Sequence, residues 1–316
     1  MNIGFLIDPL EKINIKKDTS FAMLLASQER GWKNCVIMSD DIWLRDGIAW
    51  ARMQFLEVCD AENNPFTLGE IKEQPLVDLD ILLMRKDPPV DMNYMYLTYL
   101  LEQAESQGLI VLNKPASLRD VNEKLFTSWF PQCCPKTLVT TQSDLIVDFM
   151  HSVKHAVIKP LDGMGGHSVF RLSHEDPNHH VIIETVTQKN TRMVMVQKFI
   201  AEIMHGDKRI LMIDGEPVPY ALARIPAIDD FRGNLAVGAT YAGRELTDRD
   251  RWICEQVGPT LKEKGLLFVG LDIIGDYLTE INVTSPTCVR ELDKLFSLNL
   301  ASDFLDVIEC ILEPRA

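Results

Sequence analysis

The stretch from Phe268 to Arg290 reads F-V-G-L-D-I-I-G-D-Y-L-T-E-I-N-V-T-S-P-T-C-V-R and carries the most information in this chain. It predicts two short apolar strands joined by a tight turn, with Asp272 on the first strand and Glu280 and Asn282 on the second. Residues two apart on a strand point to one face, so the oxygens of Glu280 and Asn282 lie together. Magnesium favours such a group of a few oxygen ligands completed by phosphate oxygens. The plain alternative is a hairpin with an ordinary solvated face.

The register of this hairpin separates the two interpretations. A two-residue turn at Gly275-Asp276 would place Asp272 and Glu280 on opposite faces of the sheet. A three-residue loop would place them directly across from each other. The metal-site interpretation therefore predicts the three-residue loop, and the sequence leaves both loops open.

Composition limits the function classes. At 316 residues the chain exceeds the usual size of one domain, so we expect two or three packed units. Its 46% apolar and 25% charged residues are typical of a globular protein. The net charge of −14 argues against a nucleic-acid partner, which needs a basic face. An anionic ligand would then need a local group of lysine and arginine side chains.

The N-terminus, M-N-I-G-F-L-I-D-P, has no basic start and predicts no signal peptide. No apolar run approaches the ~20 residues of a membrane span, so we expect no membrane partner. The seven cysteines are scattered and contain no C-x-x-C pair, which predicts reduced thiols in a cytoplasmic protein.

Strand and helix patterns alternate in the first third of the chain. We predict strands over residues 2–7, 35–38, 80–84 and 109–112, and helices over 18–30 and 93–107. This alternation is typical of a parallel, doubly wound α/β domain that ends near residue 115. Residues 40–76 carry no motif that assigns them a structure.

The pattern then changes. Asp120 and Glu123 suggest a capping box that opens a helix running to Phe130, where Pro131 stops it. Shorter elements follow, including a hairpin turning at Asp214-Gly215 and a helix over 248–264. Residues 226–245 contain several glycines and little periodicity, which predicts a long functional or disordered loop.

A glycine-rich loop joins two predicted strands over residues 156–172. Lys159 lies on the first strand, and the turn contains Gly163, Gly165 and Gly166. Glycines let backbone N–H groups approach a phosphate closely, and lysine adds a point charge. The loop precedes a strand rather than a helix, so it is neither a Walker motif nor a dinucleotide fingerprint. The alternative is a glycine hairpin without a ligand.

Cationic residues strengthen the phosphate interpretation. Lys124, Lys159, Arg209 and Arg224 fall in the segment that also contains the glycine loop and the three oxygen-bearing residues. Together these features describe a nucleoside triphosphate site with a bridging metal. The strand 193–197, leading into Lys198-Phe199-Ile200, could offer backbone groups to an adenine edge, although a core strand is the simpler reading.

Arg85 is predicted to lie at the end of a buried strand of the first domain. Ligands of open α/β sheets bind at the carboxyl ends of strands, and arginine there suits a carboxylate. A structural ion pair is the alternative.

These residues resemble the bacterial glutathione synthetases, a family of ATP-grasp ligases. The similarity covers essentially the whole chain. It is carried by the opening stretch and by I-N-I-K-K-D-T-S-F-A-M (13–23), L-M-R-K-D-P-P (83–89), N-K-P-x-S-L-R-D-x-N-E-K-L-F (113–126), K-P-L-D-G-M-G-G (159–166), G-D-K-R (206–209), D-G-E-P-V-P-Y-x-L-A-R-I-P (214–226) and R-G-N-L-A (232–236).

The resemblance implies an ATP-grasp fold that combines α/β and α+β units. It implies an N-terminal doubly wound substrate domain over residues 1–117 and a central subdomain with the glycine-rich loop over 118–200. A C-terminal subdomain over 201–316 would contain the magnesium site and a lid over 226–241.

The resemblance also assigns roles to individual residues. ATP would be bound by Lys124, Lys159, Gly163, Gly165, Gly166, Gln197, Lys198, Phe199, Ile200, Asp207, Arg209 and Asn282. Magnesium, which Mn²⁺ could replace, would be bound by Asp272, Glu280 and Asn282. The catalytic set would be Arg209, Arg224 and Arg232. The γ-glutamylcysteine and glycine substrates would be bound by Lys17, Arg85, Arg232, Asn234, Ser285, Pro286 and Thr287.

The implied reaction joins γ-glutamylcysteine and glycine at the expense of ATP, through an acyl phosphate, as the final step of glutathione biosynthesis. The family resemblance further suggests a cytoplasmic homotetramer. Another carboxylate–amine ligase of the superfamily, such as a D-alanine ligase, is the nearest alternative. A nucleotide-binding regulatory protein without catalysis is a more distant one, and a dinucleotide oxidoreductase is disfavoured by the context of the glycine loop.

Overall fold

The computed structural model describes residues 1–227 and 240–313. They contain three β-sheets, each covered by helices. Among these residues no helix is long and apolar enough to cross a membrane.

The N-terminal sheet has seven strands: β1 (Asn2–Leu6), β2 (Lys33–Ile37), β3 (Ile42–Arg45), β4 (Ile48–Val58), β5 (Phe66–Pro75), β6 (Ile81–Met84) and β7 (Ile110–Leu112). Their order is β3-β4-β2-β1-β6-β7, and β5 pairs along β4. The pairs β1–β2, β1–β6 and β6–β7 are parallel, as the alternating pattern predicts. The helices of this part are α1 (Thr19–Glu29), α2 (Met92–Ser106) and α3 (Pro115–Asp120).

The segment 40–76, to which no sequence motif assigns a structure, forms antiparallel strands. Strand β4 pairs antiparallel with β2, β3 and β5. Its buried residues Ala49, Ala51 and Met53 recur every second position, which is the signal of a half-buried strand. The sheet is therefore mixed rather than wholly parallel.

The predicted helix from Asp120 to Phe130 is wrong. Helix α3 ends at Asp120, and a short 3₁₀ helix follows over Leu125–Trp129. Glu123 does not cap a helix: its carboxylate accepts hydrogen bonds from the amides of Val283 and Thr284 at 2.8 and 3.0 Å. A tertiary contact has outweighed the local capping preference.

The central sheet is antiparallel throughout and has its own core. It consists of β8 (Thr137–Thr140), β9 (His155–Pro160), β10 (Phe170–Ser173) and β11 (Val194–Lys198), in the order β10-β9-β11-β8. The predicted strand, glycine loop and strand are confirmed as β9, the loop and β10. Helices α4 (Ser143–Val153) and α5 (His179–Val186) cover the sheet, and their buried residues, including Ile146, Met150 and Ile183, pack on Ile158 and Val196.

The third sheet has the order β14-β13-β12-β15-β16 and is also antiparallel. Its strands are β12 (Asp207–Ile213), β13 (Glu216–Ile225), β14 (Thr240–Glu245), β15 (Phe268–Ile274) and β16 (Tyr277–Asn282). Helix α6 (Asp248–Glu263) lies between β14 and β15 in the chain, and helices α7 (Val289–Phe296) and α8 (Leu300–Leu312) follow β16. The predicted hairpin at Asp214-Gly215 and the helix over 248–264 are confirmed. Most of the predicted lid over 226–241 lies outside the described residues.

The N-terminal and third sheets share two continuous cores. Residues of α6, such as Ile253 and Val257, pack in one cluster with Leu101 of α2 and Leu82 of β6. Residues of α7 and α8, such as Leu292 and Phe304, pack in the other with residues of α1 and β1. The central sheet, with its separate core, therefore faces a larger body made of the other two.

Candidate active site

A cavity of about 350 Å³ lies where the central sheet faces the third sheet, with the loop after β6 at one side. Five lysine and arginine side chains line it within the described chain, although the net charge of the protein is −14. These are Lys124, Lys159, Lys198, Arg209 and Arg224. The local cationic group that an anionic ligand needs is thus present.

The cavity brings together most of the residues singled out in the sequence. Those that line it are Lys124, Lys159, Gly163, Gly165, Gly166, Gln197, Lys198, Phe199, Ile200, Asp207, Arg209, Arg224, Asp272, Glu280, Asn282, Ser285, Pro286 and Thr287. Lys17 and Arg85 do not line the cavity itself. Arg232 and Asn234 lie outside the described residues.

The pairing of the opening hairpin is confirmed, but the predicted loop is wrong. Asp272 lies across from Glu280, while β15 and β16 are joined by the two-residue turn Gly275-Asp276. A β-bulge between Asp272 and Ile273 absorbs Thr279 as an extra residue and so restores the pairing. The Thr279 carbonyl freed by this irregularity accepts a hydrogen bond from Lys159 Nζ at 3.0 Å.

Strand register builds a row of charges on one face of the third sheet. Arg209 lies beside Asp272, and Asp207 lies beside Arg224. The Asp272 carboxylate accepts from Arg209 Nε at 2.5 Å and Nη2 at 3.0 Å, and lies 2.9 Å from Arg224 Nη2. Arg224 also pairs with Asp207. Gly270 makes room for this row, since a Cβ there would lie 2.9 Å from Arg209 Cδ.

The two carboxylates of this row differ in their ease of protonation. Burial would raise the pKa of Asp272, but Arg209 and Arg224 outweigh it and hold that pKa well below its usual range. Burial raises the pKa of Asp207 to about 6, because burial outweighs the lowering by Arg224 and Arg209. Asp207 Oδ1 and Arg224 Nε are buried and make no hydrogen bond with any residue that the structure describes. The row thus keeps a free acceptor and a free donor.

The two lysines of the cavity are held differently. Lys124 Nζ donates to the carbonyl of Gly163 and lies 2.8 Å from Glu280 Oε1. Burial would lower the pKa of Lys124, but Glu280 and Glu123 outweigh it and raise that pKa. Lys159 has no carboxylate within ion-pair distance among the described residues, and burial lowers its pKa to about 8.

Lys198 at the end of β11 and the two residues after it form another part of the cavity lining. The amide of Lys198 donates to the Lys136 carbonyl, and the amide of Phe199 donates to the His155 carbonyl, both at 2.9 Å. The Arg171 guanidinium lies 4.4 Å from the Phe199 ring centroid. These contacts hold the strand end in place and leave the Phe199 and Ile200 side chains at the cavity.

Arg85 lies beside the cavity as a buried cation without a counter-ion. Its side chain is 6% exposed, and no carboxylate of the described chain lies within ion-pair distance. Nη2 donates to the Pro286 carbonyl at 2.8 Å and Nε to Ser20 Oγ at 3.2 Å. Burial lowers its pKa to about 10. Within residues 1–227 and 240–313 the structural ion pair considered as the alternative is not formed, which leaves the guanidinium available to an anionic ligand.

The oxygen-bearing residues fit a hard divalent cation. Asn282 Nδ2 donates to Asp272 Oδ2 at 3.1 Å and Gly270 O at 3.2 Å, which turns its amide oxygen away from these partners. Glu280 is partly exposed to the cavity, whereas Asp272 is committed to the two arginines. Among the residues described, no three His, Cys, Asp or Glu side chains form a metal cluster by themselves. This donor set suits magnesium whose remaining ligands are phosphate oxygens or water.

Several residues that line the cavity are not predicted from the sequence to belong to the site. Glu123, Asp87, Pro88 and Thr284 all line the cavity. Each belongs to a segment that carries the family resemblance, which is the signal that could have found them. Glu123 is the most informative, because its carboxylate holds the start of the Thr284–Thr287 turn.

Comparisons with known proteins place the chain in a family. The model of the prokaryotic glutathione synthetase N-terminal domain matches residues 1–119, and that of the prokaryotic glutathione synthetase ATP-grasp domain matches residues 123–297. The chain is 59% identical over 309 residues to a glutathione synthetase of Coxiella burnetii, covering 98% of this chain and 96% of the relative. It is 54% identical over 315 residues to one of Pseudomonas syringae pv. tomato, covering 100% and 99%.

Solved structures share the fold at low sequence identity. D-cycloserine synthetase DcsG superposes with a TM-score of 0.66 at 15% identity, covering 98% of this chain and 99% of that one. The ATP-grasp ligase PsnB, complexed with precursor peptide PsnA2 and AMPPNP, gives 0.64 at 14% identity, covering 99% and 98%. These likenesses confirm the predicted ATP-grasp fold. Together with the two domain matches and the high identity along its whole length, they show that the chain belongs to the prokaryotic glutathione synthetase family.

Proposed function

We infer that this chain catalyses the ATP-dependent joining of γ-L-glutamyl-L-cysteine and glycine, which forms glutathione, ADP and phosphate. Its family membership over the full length supports this activity. The observation that carries the proposal is the cavity between two sheets, where buried cations and oxygen ligands meet beside Arg85, an arginine without a carboxylate partner among the described residues.

The phosphate end of the cavity is formed by Lys124, Lys159 and the glycine loop. A bound triphosphate would exchange the contacts of Lys124 with Gly163 and Glu280 for contacts with phosphate oxygens. Lys159, which has no ionic partner of its own among the described residues, gains one. Gly163, Gly165 and Gly166 allow the loop backbone to approach the phosphates.

Magnesium would be held by Glu280 and Asn282, with Asp272 behind them, and Mn²⁺ has similar ligand preferences. When bound, the metal neutralises charge on the phosphate oxygens. Asp207 lines the same cavity and would contact the ribose or the metal shell through Oδ1, which makes no hydrogen bond among the described residues.

The adenine would lie against residues 197–200. The amides of Lys198 and Phe199 are already used by the protein, so contact with the adenine edge falls to the remaining backbone atoms and to the side chains of Gln197, Phe199 and Ile200.

The acceptor side is built around Arg85 and the turn from Ser285 to Thr287. A buried guanidinium without a carboxylate is costly, and a substrate carboxylate would relieve that cost. Lys17 is exposed near this corner, and Arg232 and Asn234 would complete it from the lid.

The reaction needs positioning and charge neutralisation rather than a protein nucleophile. A cysteinyl carboxylate oxygen attacks the γ-phosphorus, the bond to the bridging oxygen breaks, and ADP leaves. Arg209 and Arg224 stabilise the negative charge on the transferred phosphoryl group. The glycine amine then attacks the acyl carbon, loses a proton, and phosphate departs. The lid that the resemblance implies over residues 226–241 would protect the acyl phosphate from water.

We further propose that the protein works in the cytoplasm as a homo-oligomer, with a tetramer as the expected state. The seven free cysteines of the chain suit a reducing compartment. Light scattering of the purified protein measures the oligomeric state directly.

The activity is tested by ADP release in the presence of γ-glutamylcysteine plus glycine. Parallel reactions supply D-alanine, or glutamate, as alternative substrates. Release with the first pair alone supports glutathione synthesis, whereas release with D-alanine alone identifies a different carboxylate–amine ligase. Lys159→Ala should abolish ATP turnover, and full activity of that variant would contradict the phosphate assignment.

A further inference from the structure

Two exposed histidines from different elements of the central sheet and its helices lie side by side. His151 is in the last turn of α4, and His174 follows the last residue of β10. Their ring centroids are 6.0 Å apart, and the ring planes are tilted by 44°. His179 and His180 also lie in contact, at 4.0 Å, but they are neighbours in the chain. The pair of His151 and His174 therefore results from the tertiary fold.

This pair lies on the side of the central sheet away from the cavity. Along β9, Ala156 and Ile158 belong to the core beneath α4 and α5, whereas Val157 and Lys159 line the cavity. Side chains alternate along a strand, so α4 covers the face opposite the cavity. A ligand bound by His151 of this helix would therefore not contact the nucleotide site.

The separation of the two rings suits one shared metal ion. Imidazole nitrogen binds zinc at about 2.0–2.1 Å, so each ring centroid would lie roughly 3 Å from the ion and the two centroids at most roughly 6.5 Å apart. The observed 6.0 Å lies within that limit. Neither imidazole makes a hydrogen bond or an ion pair within residues 1–227 and 240–313, so both rings can turn a nitrogen toward an ion.

Two imidazoles select a different class of ion from the oxygen ligands of the cavity. Imidazole suits Zn²⁺, Ni²⁺ and Cu²⁺, whereas carboxylate, carbonyl and water suit Mg²⁺. His151 also lies near the C-terminal end of α4, where the partial negative charge of the helix favours a cation. No three His, Cys, Asp or Glu side chains converge among the residues described, so water would complete the coordination.

We propose that His151 and His174 bind one divalent transition-metal ion, of the class that includes Zn²⁺ and Ni²⁺, at a site separate from the ligase centre. The ion links the last turn of α4 to the end of β10. Because only the folded protein holds the two rings together, binding stabilises the central sheet and the helix that covers it. This site is independent of the proposed ligase activity.

Isothermal titration calorimetry with Ni²⁺ tests this site, using the full-length chain without an affinity tag and with excess Mg²⁺ to occupy oxygen ligands. The wild-type protein should bind one Ni²⁺ per chain, and Ni²⁺ should raise its melting temperature. His151→Asn and His174→Asn should each weaken binding at least about tenfold, since losing even an outer-shell partner of a metal site costs roughly 10–100-fold. Each substitution should also abolish the rise in melting temperature.

His180→Asn is the matched control, because His180 is an exposed histidine of the neighbouring helix α5 whose ring contacts His179 instead. This variant should bind Ni²⁺ as the wild-type protein does. Melting temperatures measured without Ni²⁺ should be equal in all four proteins, which shows that the substitutions leave the fold intact. The proposal is wrong if the wild-type protein binds no Ni²⁺, if His151→Asn or His174→Asn binds it as tightly as the wild-type protein, or if His180→Asn loses it.

Discussion

At the scale of single residues, Lys124 and Lys159 show how two buried lysines of one cavity acquire different properties. Lys124 faces Glu280 and keeps its charge, whereas Lys159 meets the Thr279 carbonyl and has no ionic partner among the described residues. Desolvation disfavours the charged form of a lysine, and only a nearby carboxylate compensates for it. The affinity for phosphate therefore depends on pH mainly through Lys159.

We expect MgATP binding to weaken as the pH rises through about 8, the pKa to which burial lowers Lys159. ATP favours the protonated lysine, so binding is strongest below that pKa. Above it, affinity should fall by up to about tenfold per pH unit, since one proton is linked to binding. Isothermal titration calorimetry between pH 7 and 9.5 measures this slope.

Lys159→Arg is the control for this pH dependence. Its guanidinium stays protonated over the whole range, so any residual binding should be independent of pH. A wild-type affinity that does not change across this range would show that the charge of Lys159 does not titrate there.

At the scale of elements, the glycine loop depends on close packing at Gly163. A Cβ at this position would lie 2.9 Å from Pro160 Cγ and 3.2 Å from the His167 carbonyl oxygen, so the loop would have to move. The carbonyl of Gly163 is also the acceptor for Lys124, so movement reaches the phosphate site.

Gly163→Ala should raise KM for ATP by about tenfold or more, because overpacking of this size costs roughly 1–3 kcal/mol. Steady-state kinetics with ATP as the varied substrate measure the change. Gly47→Ala serves as a control: Gly47 has φ +78° in open space at a remote turn, so the substitution should cost stability without changing KM. An unchanged KM in Gly163→Ala would show that the loop tolerates displacement.

The bulge in β16 decides which residues of the hairpin lie across from each other. A two-residue turn alone would have paired Asp272 with Thr279, and the extra residue shifts Glu280 into that place. Alternation along each strand predicts which residues share a face within that strand. It does not reveal an irregularity between two strands.

At the scale of the whole molecule, Asn113 joins the N-terminal sheet to the third sheet. Its side chain is buried and makes four hydrogen bonds with backbone groups. Nδ2 donates to the carbonyls of Phe268 and Val283 at 2.8 and 2.7 Å, and Oδ1 accepts from the amides of Leu267 and Phe268 at 2.9 and 3.0 Å. Four hydrogen bonds of one side chain thus link the strand that opens the proposed metal site to the N-terminal domain.

Asn113→Ala should destabilise the protein by about 3–5 kcal/mol, because it leaves several buried backbone groups without partners. The shift in the midpoint of urea unfolding measures this loss. Asn93→Ala, on the exposed face of α2, should change stability by no more than about 0.5 kcal/mol. A midpoint for Asn113→Ala equal to that of the control would mean that water replaces the lost contacts.

Local pattern determined much of this protein from sequence alone. The strands β1, β6 and β7, the hairpin at Asp214-Gly215, helix α6 and the glycine loop between β9 and β10 follow from periodicity and turn chemistry, because neighbouring residues decide them. Residue type likewise predicted a cationic site with oxygen ligands. The alternating burial of Ala49, Ala51 and Met53 was present as a signal for β4 but was masked by the mixed composition around it.

Only the tertiary structure decided the rest, because those features depend on contacts between distant segments. Glu123, predicted to cap a helix, instead accepts hydrogen bonds from the backbone amides of Val283 and Thr284. Local sequence preferences cannot anticipate this contact between distant segments. The pairing of Asp272 with Glu280 comes from a bulge at Thr279, whose carbonyl accepts a hydrogen bond from Lys159 of the central sheet. The burial of Arg85 without a carboxylate partner among the described residues is visible only in the folded chain. Burial lowers the pKa of such a cation, and burial is a property of the folded chain.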